Sequence, residues 1–390
     1  MSITVQRSLL KRVLFRLHWL AGLSAGLVLG VVGFTGGLLG MEEPTLDALN
    51  PQLNVSAANR VALTPDRWIA AMRAANPDKS VRNVSWNGDD QAVRLRVAGK
   101  GERGSELAMD PYDATVLGSA RGAAFFATVE QLHRTLAAGP VGKQIVGAST
   151  ALLILMVVTG VYLRWPRRRH SVASWLKPNL QAKGRGFWWQ LHAIAGTWLL
   201  VFYLSTALTG LWWSYDFYRS AVNAMAGVPT PARRAPPPSG DAKAAPVSVD
   251  GAWSAFRAAA PDASRATFAV TDKSDAPLEI RYQTADSAHE RAWNTLKIDL
   301  ASGQVISREL YADLPRGRRF VSALFPVHTG SFLGVPGRVL VAVASLLLPF
   351  FTITGVWLWL LRRRNEASRA HRAGATPTTL AVPKADTAPA

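Results

Sequence analysis

Four of the seven histidines, His18, His133, His192 and His328, recur at matched positions of an internal repeat. Placing His18 on His192, an offset of 174, brings Leu17 onto Leu191, Ala21 onto Ala195, Gly22 onto Gly196 and Thr35-Gly36 onto Thr209-Gly210 without a gap. Placing His133 on His328, an offset of 195, brings Gly142 onto Gly337, Thr159-Gly160-Val161 onto Thr354-Gly355-Val356 and Arg167-Arg168-Arg169 onto Arg362-Arg363-Arg364. Self-similarity at a fixed period marks a tandem unit. Two imidazoles at each of two levels are the donor set of a bis-histidine haem, in which neutral nitrogens face each other across a flat macrocycle. Helical bundles build such sites from side chains on facing helices. The competing readings are plainer. His18 and His192 could be interfacial polar residues, and His133 and His328 could cap the Gly139-Pro140 and Gly334-Val335-Pro336-Gly337 breaks that follow them. His170, His289 and His371 lack repeat partners and read as uninvolved.

Other chemistries are poorly served. The chain has no cysteine, which excludes disulfides and thiolate-held iron–sulfur clusters. It has no HExxH, Walker loop or GxSxG. Small residues follow His18 as Gly22, Gly26, Gly30, Gly33 and Gly37, which keeps them on the histidine's helix face. They read as a helix-packing seam, and the two readings are compatible, since a seam without side chains also leaves room for a porphyrin. Arg16 on one side, and Arg134, Lys143 and Arg338 on the other, are candidate partners for haem propionates, with ordinary snorkelling as the alternative.

The elements that must position these histidines lie in four stretches free of Asp, Glu, Lys and Arg: residues 17–41, 144–163, 186–215 and 339–361. Each is long enough for a bilayer core, which takes about 20 apolar residues as helix. The first is longer than a signal-peptide core and repeats as the third, so a retained helix is expected. The net charge of +18 could suggest nucleic acid, but topology explains it. Residues 1–16, 164–185 and 362–390 hold 17 basic against two acidic residues, and all fall on one side of four alternating helices. The positive-inside rule then makes both termini cytoplasmic. His18 and His192 form an inner layer and His133 and His328 an outer one. A straight helix from His133 to Arg164 would span about 46 Å, more than a hydrocarbon core of about 30 Å. The outer histidines therefore stand above the bilayer or fold back towards it, and folding back is favoured.

The expected architecture is a four-transmembrane-helix bundle with two periplasmic α+β modules, a tandem repeat of helix, module, helix. Its parts are residues 1–41 (N-terminal segment and first span), 42–128 (first module), 129–165 (outer histidine segment and second span) and 166–186 (cytoplasmic loop). Then come 187–215 (third span), 216–322 (linker and second module), 323–364 (outer histidine segment and fourth span) and 365–390 (disordered tail). Within the modules, residues 92–97 and 278–282 alternate as strands, and 107–117 and 296–306 read as strand–turn–strand. Residues 229–246, rich in Pro and Ala, read as a linker.

The Leu-His-x-x-Ala-Gly and Thr-Gly motifs resemble the PepSY-associated transmembrane family over about residues 8–365. So do the module ends Asp110-Pro111-Tyr112-Asp113-Ala114-Thr115-Val116 and Asp299-Leu300-Ala301-Ser302-Gly303-Gln304-Val305. The first module departs from the family turn, with Asp113-Ala114 where the second has Ser302-Gly303. The resemblance implies an iron-regulated protein of the bacterial inner membrane, similar to ferric-siderophore reductases. With it, the expected function is a di-haem (haem b) electron conduit, an oxidoreductase that reduces a periplasmic ferric siderophore or other chelate in iron homeostasis. The cytoplasmic segments are too short for a nicotinamide or flavin domain, so the expected donor is a quinol or a cytoplasmic reductase. Membrane lipid is an expected partner and nucleic acid is not. Two alternatives stand beside this reading: a membrane-anchored PepSY module that binds or restrains a periplasmic protease, and an iron or siderophore permease. A permease would be expected to carry charged groups at mid-membrane, and none of the four stretches does.

Overall fold

A computed structural model describes residues 3–57, 60–99, 104–165, 172–179, 181–229, 247–271 and 276–374. Most of the expected linker, the expected tail beyond residue 374, and His170 lie outside the described residues, as does the His371 side chain, while residues 365–374, expected to be disordered, continue the last helix, Leu348–Gly374.

The helices are α1 (Ile3–Gly40), α2 (Glu42–Leu49), α3 (Pro65–Ala75), α4 (Ala123–Thr135), α5 (Gly139–Arg164) and α6 (Val172–Leu176). They continue as α7 (Gly184–Ser214), α8 (Asp216–Met225), α9 (Asp250–Ala259), α10 (Arg316–Thr329), α11 (Gly334–Leu346) and α12 (Leu348–Gly374). Four spans are long and apolar enough to cross a membrane: Leu9–Gly40, Gly139–Arg164, Gly184–Ser214 and Ser331–Ser368. Large apolar side chains on their outer faces, such as Leu27, Val201 and Ile353, are 67–77% exposed, which suits a lipid solvent rather than water. The fourth span is broken between α11 and α12 beside Pro349, whose ring and missing N–H interrupt the helical ladder.

In the bundle α1 packs along α5 and along α11–α12, and α7 packs on α5 and α12, so α1 and α7 stand on one diagonal. The glycines of α1 explain its close approach to the broken fourth span. A Cβ on Gly33 would lie 2.5 Å from Leu348 Cβ and 2.7 Å from the Ser345 carbonyl oxygen, and one on Gly37 would lie 2.5 Å from Leu346. Thr352 seals the contact by donating to the Gly26 carbonyl at 2.7 Å. The stripe from Gly26 to Gly37 is therefore a packing seam against α11–α12, while Gly22 faces Met156 of α5.

The strands are β1 (Ser80–Trp86), β2 (Val93–Ala98), β3 (Ser105–Met109), β4 (Val116–Gly118), β5 (Ala263–Ala269), β6 (Leu278–Thr284), β7 (Asn294–Ile298) and β8 (Val305–Glu309). The strands of the two expected modules, β1–β4 and β5–β8, form the two halves of one antiparallel sheet in the order β4-β3-β2-β1-β5-β6-β7-β8. The join is β1 on β5, with Val84 opposite Phe268 and Ser85 opposite Thr267. One core serves both halves. Trp68 and Ile69 of α3, Phe256 of α9 and Val84, Leu95, Ile280, Tyr282 and Leu296 of the strands are all essentially buried in it. The two helices also cap each other. The Asp250 carboxylate accepts from the Asp66 N–H at 2.9 Å, and the Asp66 carboxylate accepts from the Val249 N–H at 2.9 Å, so each fills an orphan donor of the other's first turn. Separating the halves would expose this core and uncap both helices, so the sheet is one structural unit.

Candidate functional site

The outer histidines are brought back to the bundle by two chain reversals. After α4, Leu136, Ala137 and Gly139 all adopt left-handed backbone, which turns the chain into α5. After α10, Gly330 does the same at φ +81°, where a Cβ would lie 2.3 Å from the Gly337 carbonyl oxygen. Both outer segments thus fold back rather than continue as straight extensions of the spans. His133 packs on Val32, Thr35 and Gly36 of α1, and His328 packs on Thr209 and Gly210 of α7.

The four histidines form two facing pairs. The His18 and His192 rings are 6.4 Å apart at 75°, and the His133 and His328 rings are 6.3 Å apart at 64°. With metal–imidazole bonds of about 2.0 Å and about 1.1 Å from nitrogen to ring centre, two trans imidazoles place their centroids about 6.2 Å apart. Both observed separations match that span.

Each histidine leans on a Thr-Gly step of a different helix. His18 Nδ1 lies 2.9 Å from Thr159 Oγ1, His192 Nδ1 2.8 Å from Thr354 Oγ1, and His328 Nδ1 2.9 Å from Thr209 Oγ1. His133 Nδ1 lies 2.9 Å from the Val32 carbonyl oxygen and 3.4 Å from Thr35 Oγ1. The protons can be assigned. Each threonine hydroxyl donates its one hydrogen to its own helix, to Leu155, Phe350, Ser205 and Val31 respectively, at 2.7–2.8 Å. The threonine oxygen is then an acceptor, and a carbonyl can only accept. Every Nδ1 must therefore carry the hydrogen, which leaves the Nε2 lone pair for a metal. This is the outer support that orients metal-binding histidines. The glycine of each step gives the ring its place, with the imidazole Cε1 3.3 Å from an added Cβ at Gly160 and at Gly210. In the outer pair, burial pushes both imidazoles down from their ordinary 6.5, His328 to about 4 with His133 adding to the effect. Both are neutral at physiological pH, as ligation requires.

Among the described residues no group of three or more His, Cys, Asp or Glu could hold a metal ion. A porphyrin would bring the further donors that each pair of imidazoles would need to hold an iron. One orphan also suits a carboxylate-bearing group. The indole Nε1 of Trp212, two positions beyond Gly210, is a buried donor without an acceptor among the described residues.

The four basic candidates are placed differently. Arg16 is exposed on α1 and Lys143 is half-buried in α5. Arg134 pairs with Glu130 at 2.7 Å, and Arg338 pairs with Glu43 at 2.6 Å and Glu290 at 3.4 Å. Those two cations are engaged by carboxylates of the protein. His289 is buried in the connection between β6 and β7, with its Nε2 on the Tyr311 hydroxyl at 2.9 Å. Sequence reasoning aligned the Thr-Gly steps as repeat markers but missed their role. The available signal was that all four spans carry one. Between the layers, Phe351 packs edge-on against both His192 and Tyr203, and beyond the outer pair Trp213 packs against His328.

No curated protein matches this chain. A family model described as the PepSY-associated TM region matches residues 15–362, a range that contains all four histidines and all four Thr-Gly steps.

Proposed function

This chain belongs to the PepSY-associated TM region family, and from that premise we propose that it is a di-haem electron-transfer protein of the bacterial inner membrane that reduces a ferric chelate, such as a ferric siderophore, on the periplasmic side. The observation that carries the reading is the pair of facing imidazole sets at 6.4 and 6.3 Å, each with its Nδ1 proton tied down. His18 with His192 would hold one haem b, and His133 with His328 the other. Haem b at such sites supplies reversible one-electron iron chemistry.

The protein's own residues do the rest. Thr159, Thr354 and Thr209, with Val32 and Thr35 for His133, fix the tautomers and ring planes. The apolar core of Ala25, Leu29, Leu153, Tyr203, Ala207, Ala344 and Leu348 keeps water from the space between the layers. The basic segments at residues 1–16, 164–185 and 362–390 favour cytoplasmic termini, which puts the sheet and the outer pair on the periplasmic side. The internal matches of His18 with His192 and His133 with His328 support a duplicated helix–module–helix unit. The donor would be a membrane quinol or a cytoplasmic reductase. One electron converts the chelate's ferric iron to ferrous iron, which hard oxygen donors hold less tightly, so iron is released without the chelate crossing the membrane.

The test uses dithionite-reduced protein in oriented vesicles and a membrane-impermeant ferric chelate. Reoxidation is expected only when the chelate is on the sheet side. It should slow in a His328→Ala variant that retains its inner haem, and reoxidation at the wild-type rate in that variant would refute the outer pair as the exit.

A further inference from the structure

The sheet has a second face, away from the shared core. Along β6 the buried residues Leu278, Ile280 and Tyr282 alternate with exposed Glu279 and Arg281. β7 places Thr295 and Lys297 beside them, and β8 adds Glu309. This face turns towards α10, and between them lies a groove of about 500 Å³ that also takes in Arg291, Trp293, Tyr311, Arg318 and Ser322. Small-molecule sites fall in the range of roughly 300–1,000 Å³.

The groove carries four cations against two carboxylates, and pairing removes only some of the charge. Arg318 forks onto Glu309 at 2.6 and 3.3 Å, and Lys297 stands opposite Glu279 in register. Among the described residues neither Arg281 nor Arg291 forms an ion pair. Burial lowers the Arg281 guanidinium pKa, Glu279 opposes that shift, and Arg291 lowers it further, as expected of two like charges drawn together. The aromatic surface is fixed as well. Arg281 sits over the Trp293 ring at 5.1 Å. Tyr311 is held by His289: the Arg291 N–H donates to His289 Nδ1 at 3.1 Å, so the Nε2 proton donates to the Tyr311 hydroxyl. The groove also reaches the outer histidine pair through ring contacts. Arg291 lies 4.2 Å over Phe325, Phe325 packs on Trp213 at 6.1 Å, and Trp213 packs on His328 at 5.4 Å.

We propose that this groove binds an anionic metal chelate with aromatic faces, of the tris-catecholate kind, through Arg281, Arg291, Trp293 and Tyr311. The choice of a chelate rests on the reductase reading above, while the charge and the aromatic surface come from the groove. A soluble ligand is favoured over a lipid headgroup by position. Arg318 precedes His328 by ten residues, about 15 Å along α10, and from His328 to Phe325 the contacts on α7 pass from Thr209 to Trp213, so the groove lies beyond the outer pair towards the end of α7 that bears the sheet. A neutral tris-hydroxamate complex would leave both guanidiniums uncompensated and should bind poorly.

The test is binding of a redox-inert probe, gallium(III) tris(2,3-dihydroxybenzoate), to the full chain in detergent, read by tryptophan fluorescence and calorimetry. Arg281→Ala and Arg291→Ala should each weaken binding about tenfold, the loss of one charge-assisted contact, and added salt should weaken it further. Arg308→Ala, on the opposite face of β8, should have no effect. Neutral gallium(III) tris(acetohydroxamate) should bind at least about tenfold more weakly than the catecholate complex. The proposal is overturned if the Arg281→Ala/Arg291→Ala double variant binds like wild type, if Arg308→Ala costs as much, or if the neutral complex binds equally well. Full displacement of the probe by phosphatidylglycerol vesicles, but not by phosphatidylcholine vesicles, would assign the groove to lipid headgroups and also overturn it. Because gallium(III) is not reduced, binding is read without electron transfer and the two readings fail separately. A haem-free protein that binds the probe here refutes electron transfer and upholds the groove, whereas a two-haem protein that binds no probe here does the reverse.

Discussion

Alanine at each of the four Thr-Gly glycines perturbs the same kind of contact to three different degrees. An added Cβ would lie 2.9 Å from His133 Cε1 at Gly36, 3.3 Å from His18 at Gly160, 3.3 Å from His328 at Gly210 and 3.9 Å from His192 at Gly355. Carbon atoms rest against each other at about 3.5–4.0 Å. The His133 ring must therefore move by about 0.6–1 Å in Gly36→Ala, and the His18 and His328 rings by a few tenths, while His192 need not move. His133 has little freedom to give, because its Nδ1 is held at 2.9 Å by the Val32 carbonyl. A displaced ring costs about 1–3 kcal/mol of overpacking and another 1–3 if the Nδ1 donor is left unsatisfied. Metal–ligand distances tolerate only about ±0.2 Å. The expected result is a Gly36→Ala protein that loses the outer haem and keeps the inner one. Gly160→Ala and Gly210→Ala should show partial loss from the inner and outer layers respectively, and Gly355→Ala should retain two haems. The assay is the haem-to-protein ratio of each purified variant, with the α-band assigned in His18→Ala and His328→Ala backgrounds. Equal loss in Gly355→Ala and Gly36→Ala, or full occupancy in all four variants, would refute the argument.

Replacing Thr209 or Thr354 with Val removes the Nδ1 acceptor while keeping the shape, so haem affinity at that layer should fall about 10–100-fold, with Ser restoring most of it; haem transfer to apomyoglobin measures this. Ala114 holds a left-handed φ of +61°, where the equivalent Gly303 has +69°, so Ala114→Gly should stabilise the sheet by about 1 kcal/mol in thermal melts. Burial pushes the Glu43 carboxyl up, but Arg338 and Arg265 outweigh it and hold the group below its ordinary 4.5. The folded state then binds fewer protons than the unfolded chain. The stabilising contribution is complete above pH 4.5 and is lost as pH falls through the folded value. Melting temperature should therefore drop less on acidification in Glu43→Gln than in wild type. The steeply crossed imidazole planes, 75° and 64°, should give low-spin ferric EPR signals with a large g-max at both layers, and signals typical of parallel planes would contradict the ring geometry.

The spans were legible because few water-soluble folds leave runs of this length without a single charge, and the histidine pairs because duplication placed them at equal depth on different helices. The single sheet was not. Its joining strands are irregular: β1 shifts register between Val81 and Asn83 and β5 between Ala263 and Arg265, which spoils the alternation that betrays a strand. The pairing of β1 with β5 joins residues about 180 positions apart, which no local pattern encodes. The glycine stripe on α1 was ambiguous in sequence because a seam and a cofactor pocket both call for small residues. Ser345, Leu346 and Leu348 of the fourth span bear out the seam. The threonines were hidden by their ordinariness, since a threonine that bonds back to its own helix carries no mark of also accepting from a histidine.

The most direct test of the central claim is the pyridine haemochrome spectrum of the purified chain, with the haem-to-protein ratio measured in wild type and in His18→Ala, His192→Ala, His133→Ala and His328→Ala. The account expects two b-type haems in wild type. It expects loss of the same haem in His18→Ala and His192→Ala, and of the other in His133→Ala and His328→Ala. A colourless wild-type protein obtained under haem-replete expression, or single variants that all retain two haems, would contradict it.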